Sequence, residues 1–322
     1  MIELKKTSNY SNNICGHSSV VERLVANEKV EGSTPFARSN KERIMIVWIA
    51  SYPKSGNTYV RSFLSSYYYS KHGEFDFNLL LNIKQFPSLI FANDKSYTFI
   101  DAAENWIKNQ KIFFDKKRTH ILKTHNSLEQ YIGNKFTTAS ETLGAIYIVR
   151  DPRNTITSMC NHYSLSLDDA FNKMTDNNSA LSQKTPDGNY GNFTFLGKWS
   201  NHYKSWKNNF EFKTLFIRYE DLQKNTTNEF KKIINFIEEL TEKNKSIDEK
   251  KFKKSIDSTN FSNLKKKEIS QGFGESLDYG KNKETNFFNL GFENKWQKIL
   301  SREMSEKITT EFFDELKELG YE

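Results

Sequence analysis

The chain has 322 residues, enough for one large α/β domain or two modest ones, and its 36% hydrophobic and 14% aromatic content supplies a core, which excludes wholesale disorder. A formal charge of +7 with pI near 9.0 suits an anionic ligand, but no arginine-rich stripe or nucleic-acid motif accompanies it, so nucleic acid is not an expected partner. The two cysteines, Cys15 and Cys160, have neither metal-ligand spacing nor the density of a disulfide framework, no apolar run approaches the roughly 18–20 residues of a membrane span, and the N-terminus lacks the apolar core of a secretory signal. The expectation is a cytoplasmic protein without a membrane span or a metal.

Residues 1–44 are polar, lack periodicity and end in Ser39-Asn-Lys-Glu-Arg43. The stretch 16–39 resembles the conceptual translation of a transfer-RNA gene, with Gly32-Ser-Thr-Pro35 in the place of the T-arm. Residues 1–44 are therefore expected to be a disordered or artefactual extension, with translation starting at Met45 and one domain covering 45–322; a transit peptide is the alternative.

The next stretch organises the chain. Val47, Trp48 and Ile49 have the make-up of a buried strand, Pro53 and Gly56 punctuate a loop, and 60–69 has helical length with an apolar face. A strand–loop–helix of this kind aims backbone N–H groups and a helix N-terminus at one point, a ready anion site. Lys54 adds a positive charge, and Ser55, Asn57 and Thr58 add short polar groups. The pattern is not a Walker loop, because Lys54 precedes Gly56 instead of following the second glycine. Tyr52-Pro-Lys-Ser-Gly-Asn-Thr58 instead resembles the phosphosulfate-binding loop of the cytosolic-type sulfotransferases, whose donor is 3′-phosphoadenosine 5′-phosphosulfate (PAPS) and whose nucleotide product is PAP.

Further landmarks of that family follow in order. The region 75–106 is aromatic and mixed, with no evident chemistry. Residues 119–125 form a short strand ending in Lys123-Thr-His125, where ligand groups sit in open α/β sheets. Alternation puts Lys123 and His125 on one side and Thr124 on the other. A lone histidine is more often structural, but Lys-Thr-His here matches the family's catalytic strand end. The strand 144–150 leads into a helix at 155–163, and the resemblance assigns the 3′-phosphate to Arg150 and Ser158; the competing reading of Arg150 is an ion pair with Asp151 or a nearby acid. Arg153 reads as a solvated neighbour. The stretch 164–195 reads as an irregular lid or acceptor-pocket segment. A Trp-rich helix follows at 197–206, in which His202 reads as structural or exposed.

Arg218-Tyr-Glu-Asp-Leu222 follows a strand beginning at Thr214, and an amphipathic helix then runs to about residue 240. By resemblance Tyr219 contacts the adenine, Tyr59 stacks on it where the family has tryptophan, and Thr259 and Phe261 touch the donor nucleotide. The lysine-rich 242–254 reads as a solvated helix face. The final motif departs from the family's Arg-Lys-Gly…Gly…Trp: Asn289, Leu290 and Asn294 replace the arginine, the lysine and the second glycine, while Gly291 and Trp296 remain. Losing that arginine could weaken donor binding by about 1.5–3 kcal/mol; Lys281, Lys283 and Lys295 are candidates to compensate. A helix over 301–319 completes the match.

The resemblance implies a three-layer α/β/α fold with a central parallel sheet, related to the P-loop nucleotide kinases. It implies in-line transfer of a sulfuryl group to a hydroxyl or amine acceptor, with Lys54, Lys123 and His125 as catalytic groups and His125 as general base. Residues 54–59, Arg150, Ser158, Tyr219, Thr259, Phe261, Asn289 and Gly291 form the expected donor site. The acceptor is a small molecule, a saccharide or a lipid headgroup, and a homodimer is allowed. The alternative is a donor-binding protein with impaired catalysis. Mass spectrometry of the native protein is expected to find no peptide from upstream of Met45; any such peptide overturns the assigned start.

Overall fold

Met45–Ser51 forms β1, the strand against which the others are laid. The computed structural model describes residues 44–114, 116–182, 184–243, 245–275 and 286–322. Residues 1–43 and the lysines at 281 and 283 lie outside the described residues. After β1 come α1 (Asn57–Tyr69), α2 (Phe99–Phe113), β2 (Thr119–Thr124), β3 (Thr142–Val149), α3 (Pro152–Tyr163) and α4 (Leu167–Thr175). Then follow the short β4 (Ala180–Leu181) and β5 (Thr194–Phe195), α5 (Trp199–Lys207) and β6 (Lys213–Arg218). The chain closes with α6 (Tyr219–Lys224), α7 (Thr226–Thr241), α8 (Glu249–Ser258), α9 (Phe261–Gln271), α10 (Trp296–Ile299), α11 (Arg302–Glu311) and α12 (Phe313–Leu319).

The main sheet has four strands in the order β2-β1-β3-β6, all parallel, and β4 and β5 form a separate antiparallel pair. Both faces of the sheet are covered, which is why β1 and β3 read as near-continuous apolar runs. Successive side chains serve opposite cores. Ile46, Trp48, Ala50, Ala145, Tyr147 and Val149 pack with α2, α3, α5, α11 and α12, while Val47, Ile49, Ile146 and Ile148 pack with α1, α7 and α8. The expected three-layer α/β/α architecture is thus the observed one.

Local differences have local causes. Helix α3 starts at Pro152, earlier than the expected Thr155, because Pro suits the first helical position and the Asp151 carboxylate accepts from Arg153 N at 2.9 Å. The stretch expected to be irregular over 164–195 contains α4, capped by Ser166, and the β4–β5 pair. The expected single helix over 301–319 divides at Phe312, a fully buried ring that packs on Trp199 at 5.0 Å.

Arg153 is not solvated. It is buried, forms an ion pair with Asp151 at 2.8 Å, donates to the Tyr321 carbonyl at 2.5 Å, and stacks 4.3 Å from the Trp296 ring. The sequence hid this because two of the partners, Trp296 and Tyr321, lie at the far end of the chain. Removing one member of a buried pair leaves the other charge uncompensated, so Arg153→Ala is expected to cost about 3 kcal/mol or more in urea unfolding; a loss within about 0.5 kcal/mol, typical of a surface change, would contradict the anchoring role.

Candidate active site

Because the four strands run the same way, the residues that follow them gather along one edge of the sheet, and the chain turns to opposite sides of β1 to make β2 and β3. The loop leaving β1 places Lys54 (φ 65) and Gly56 (φ 100) in the left-handed region, which curls the backbone into a nest of N–H groups ahead of α1. Gly56 is required here, since a Cβ would overlap the Tyr219 ring. Asn57 donates from Nδ2 to the Ile49 carbonyl at 2.9 Å and to Ser51 Oγ at 3.3 Å, tying the loop to the strand it leaves. Ser55 Oγ is buried without a hydrogen-bond partner among the described residues.

Cations converge on this loop. The Lys54 ammonium lies 3.8 Å from the Phe287 ring centroid, and burial, helped by Lys123 and Arg150, pushes its pKa down to about 7. Lys123, buried at the end of β2, donates to Glu275 Oε2 at 3.1 Å; burial pulls its pKa down, and Glu275 opposes that. Arg61 stands one helical turn beyond Thr58 on α1 and also pairs with Glu275. Arg150 follows β3, donates from NH1 to the Lys54 carbonyl at 2.9 Å and stacks 4.5 Å from the Tyr219 ring, while its Nε has no partner among the described residues. The alternative pair with Asp151 does not form, because Asp151 is held by Arg153. Ser158 is half-buried on the second turn of α3.

His125 follows β2. Its Nδ1 lies 2.8 Å from the Ser51 carbonyl, which can only accept, so the proton sits on Nδ1 and Nε2 carries the lone pair. Burial and then Lys123 push its pKa down to about 3, which keeps the ring neutral at ordinary pH. His202 on α5 donates from Nε2 to the His125 carbonyl at 2.9 Å and takes the Tyr147 hydroxyl on Nδ1 at 2.7 Å. It is buried and holds the segment that carries His125.

The remaining expected donor contacts surround an aromatic group. Phe292 lies 6.1 Å from Tyr59, 6.1 Å from Tyr219 and 6.2 Å from Phe261 by ring centroid. Gly291 (φ 53) packs so closely on Phe261 that a Cβ would overlap its ring. Thr259 is buried with its hydroxyl on the Ser255 carbonyl at 2.7 Å, ending α8. The altered C-terminal motif is clamped to α3: Asn294 accepts from Thr157 Oγ1 at 2.8 Å and donates to the Asn154 carbonyl at 3.0 Å, and Trp296 N donates to Asn154 Oδ1 at 2.9 Å. The Glu268 carboxylate receives Phe287 N at 2.5 Å and Phe288 N at 2.9 Å, which seats Phe287 over Lys54. Lys295 pairs with Glu293 at 3.9 Å; the cation that reaches the segment is instead Lys265, on the Asn289 carbonyl at 2.9 Å, beside a cleft of about 530 Å³.

Lys54, Lys123, His125 and Arg150 therefore lie together at this edge, whereas the side chains of Asn57 and Thr259 make internal bonds. Sequence reasoning did not place Arg61, Glu275 or Phe287 at this edge, and of its two readings of His202, structural or exposed, the buried structural one is observed. Arg61 left a signal, a charge one helical turn past Thr58 in the helix that follows the loop; Glu275 left none. Among the described residues no group of three His, Cys, Asp or Glu side chains could hold a metal, and no helix is long and apolar enough to cross a membrane.

Structures similar to this chain include a retinol dehydratase with androsterone and inactive cofactor PAP (18% identity over 84% of this chain and 80% of that one, TM-score 0.54). The same enzyme with retinol and PAP matches at 18% identity over 85% and 82%, TM-score 0.55. A mouse sulfotransferase, SULT7A1, complexed with PAP matches at 19% identity over 84% of each chain, TM-score 0.52. At these identities the likeness shows the fold. No curated protein matches the sequence. The sulfotransferase domain family matches residues 46–320, the whole span that carries the sheet, the loop and the C-terminal helices, and the chain belongs to that family.

Proposed function

We propose that this chain transfers a sulfuryl group from PAPS to a hydroxyl or amine acceptor, through one domain covering 45–322. The observation that carries the reading is the convergence of Lys54, Lys123, Arg150 and His125 on one sheet edge, beside two buried donors, Ser55 Oγ and Arg150 Nε, with no partner among the described residues. Unsatisfied buried donors fit the oxygens of a phosphate. The PAP held in the similar structures supports the same ligand, and the androsterone and retinol held in two of them, both hydroxyl compounds, favour a small-molecule acceptor over a saccharide or lipid headgroup.

When bound, PAPS supplies the sulfuryl group and the departing phosphate. Lys54, Ser55, Gly56 and Thr58 hold the 5′ side through side chains and loop N–H groups, with Asn57 fixing the loop's shape. Arg150 and Ser158 hold the 3′-phosphate, with Gly291 and the main chain at Asn289 beside it. Tyr59, Tyr219 and Phe261 line the base, and Thr259 fixes the turn ahead of Phe261. Lys54 stabilises charge on the departing oxygen, as a fixed electrostatic group in place before the reaction, and Lys123 serves the sulfuryl oxygens. His125 Nε2 takes the acceptor's proton; its Nδ1–H stays on Ser51. The sparse cysteines favour a cytoplasmic setting. Asn289, in place of the family's arginine, favours a second reading, donor binding with impaired catalysis.

Lys54→Ala and His125→Ala are each expected to lower turnover by about a hundredfold or more in transfer from a radiolabelled donor. Near-native rates in either refute its role, and no transfer to any acceptor despite donor binding supports the second reading. Calorimetry is expected to show tight PAP binding, a preference over AMP and ATP, and a loss of roughly tenfold or more in Arg150→Ala. Free Lys54, with a pKa of about 7, is mostly neutral at about pH 8, and an anionic ligand raises that pKa, so PAP binding should take up close to one proton there. Heats that do not vary with buffer ionisation enthalpy, or uptake that survives Lys54→Ala, contradict that assignment.

A further inference from the structure

Glu275 is the one carboxylate bonded to the cations of this edge among the described residues. Its Oε1 pairs with Arg61 NH1, and its Oε2 accepts from Lys123 Nζ at 3.1 Å and from Thr58 Oγ1 at 3.4 Å. The two cations belong to the scaffold. Arg61 is anchored by Nε on the Ile83 carbonyl at 2.6 Å and by NH2 on the Leu80 carbonyl at 2.9 Å, and Lys123 sits within β2. Their side chains are 8% and 7% exposed, against 29% for Glu275, which lies outside every helix and strand beside Gly274. The carboxylate is the more exposed partner in this contact. The NH1 group of Arg61, a lysine and a hydroxyl from the first turn of a helix also form a donor set that a sulfuryl oxygen group would take.

Resting on the donor reading above, we propose that Arg61, Lys123 and Thr58 form the subsite for the transferable sulfuryl group and that Glu275 is a resident anion that competes with it. The argument is one of charge. Arg61, Lys123, Lys54 and Arg150 are brought together by elements of the fold, and cations this close need a counter-anion. Glu268, the other carboxylate that acts on Lys54, is committed to the N–H groups of Phe287 and Phe288. Burial alone would raise the Glu275 pKa, but Lys123 and Arg61 outweigh it and hold the carboxyl well below the usual range, so it remains an anion at working pH. Two anions cannot occupy the same donors. The apparent affinity for PAPS is therefore lowered by the fraction of time Glu275 holds the subsite. PAP lacks the sulfuryl group and leaves that subsite to Glu275, so the device discriminates between donor and spent product.

Calorimetry on the full chain with PAPS, PAP and AMP, in the absence of acceptor, tests this. Glu275→Gln is expected to tighten PAPS by roughly tenfold to a hundredfold, the worth of one or two charge-assisted hydrogen bonds, and PAP by much less. Glu275→Ala should do the same, so a fold defect in one variant does not decide the matter. In the Glu275→Gln background, Arg61→Lys should remove most of the gain, because a lysine cannot keep both main-chain anchors and reach the subsite. Unchanged or weaker PAPS binding in both Glu275 variants overturns the proposal, as does an equal gain for PAP or a gain that persists without Arg61. Loss of the preference for PAP over AMP is the failure of the donor reading itself. If that preference stands while Glu275→Gln leaves PAPS unchanged, only the present inference falls.

Discussion

The constraint on which the site depends is the gathering of like charges. A parallel sheet with helices on both faces sends every strand's carboxyl end to the same edge, and here three of those ends deliver Lys54, Lys123 and Arg150, with Arg61 added from α1. Such a cluster repels itself, and the structure answers with several distinct devices. Lys54 faces the π-electrons of Phe287 and drops its pKa toward neutrality; Arg150 spreads its guanidinium over Tyr219 and binds the Lys54 carbonyl; Lys123 and Arg61 share Glu275. The two rings are weaker partners than an anion would be, whereas Glu275 already supplies a full countercharge.

Neutral groups are placed with equal economy. A histidine inside a positive cluster cannot easily hold a proton of its own, so His125 stays neutral, and the Ser51 carbonyl decides which nitrogen keeps the hydrogen. Because Ser51 is the last residue of β1, the strand that launches the Lys54 loop also orients this ring. His202 secures the same segment from the opposite core, through a carbonyl bond that needs its own tautomer fixed by Tyr147.

Much of this was legible in the sequence. The apolar runs of β1 and β3 announced strands, the first of them buried, Pro53 and Gly56 announced the loop, and the polar end of β2 announced the edge where ligand groups sit. What remained hidden depends on pairings between distant residues. Arg153 looked solvated because Trp296 and Tyr321 lie far along the chain, and the parting of the last helix at Phe312 depends on Trp199, which helical periodicity does not reveal. Glu275 is one acid among 40 acidic side chains, and only the fold singles it out.

The C-terminal motif keeps Gly291 and Trp296, with Asn289 and Leu290 where the resemblance leads one to expect a charged pair. Asn294 and Trp296 bind it to Asn154, Thr157 and Arg153, none of which depends on those lost charges. Shape and charge are thus separable in this segment, and natural variation can change one without dismantling the other. A search keyed to the basic residues would pass over chains of this kind. What persists here is the Gly–Trp spacing, with an asparagine that grips α3.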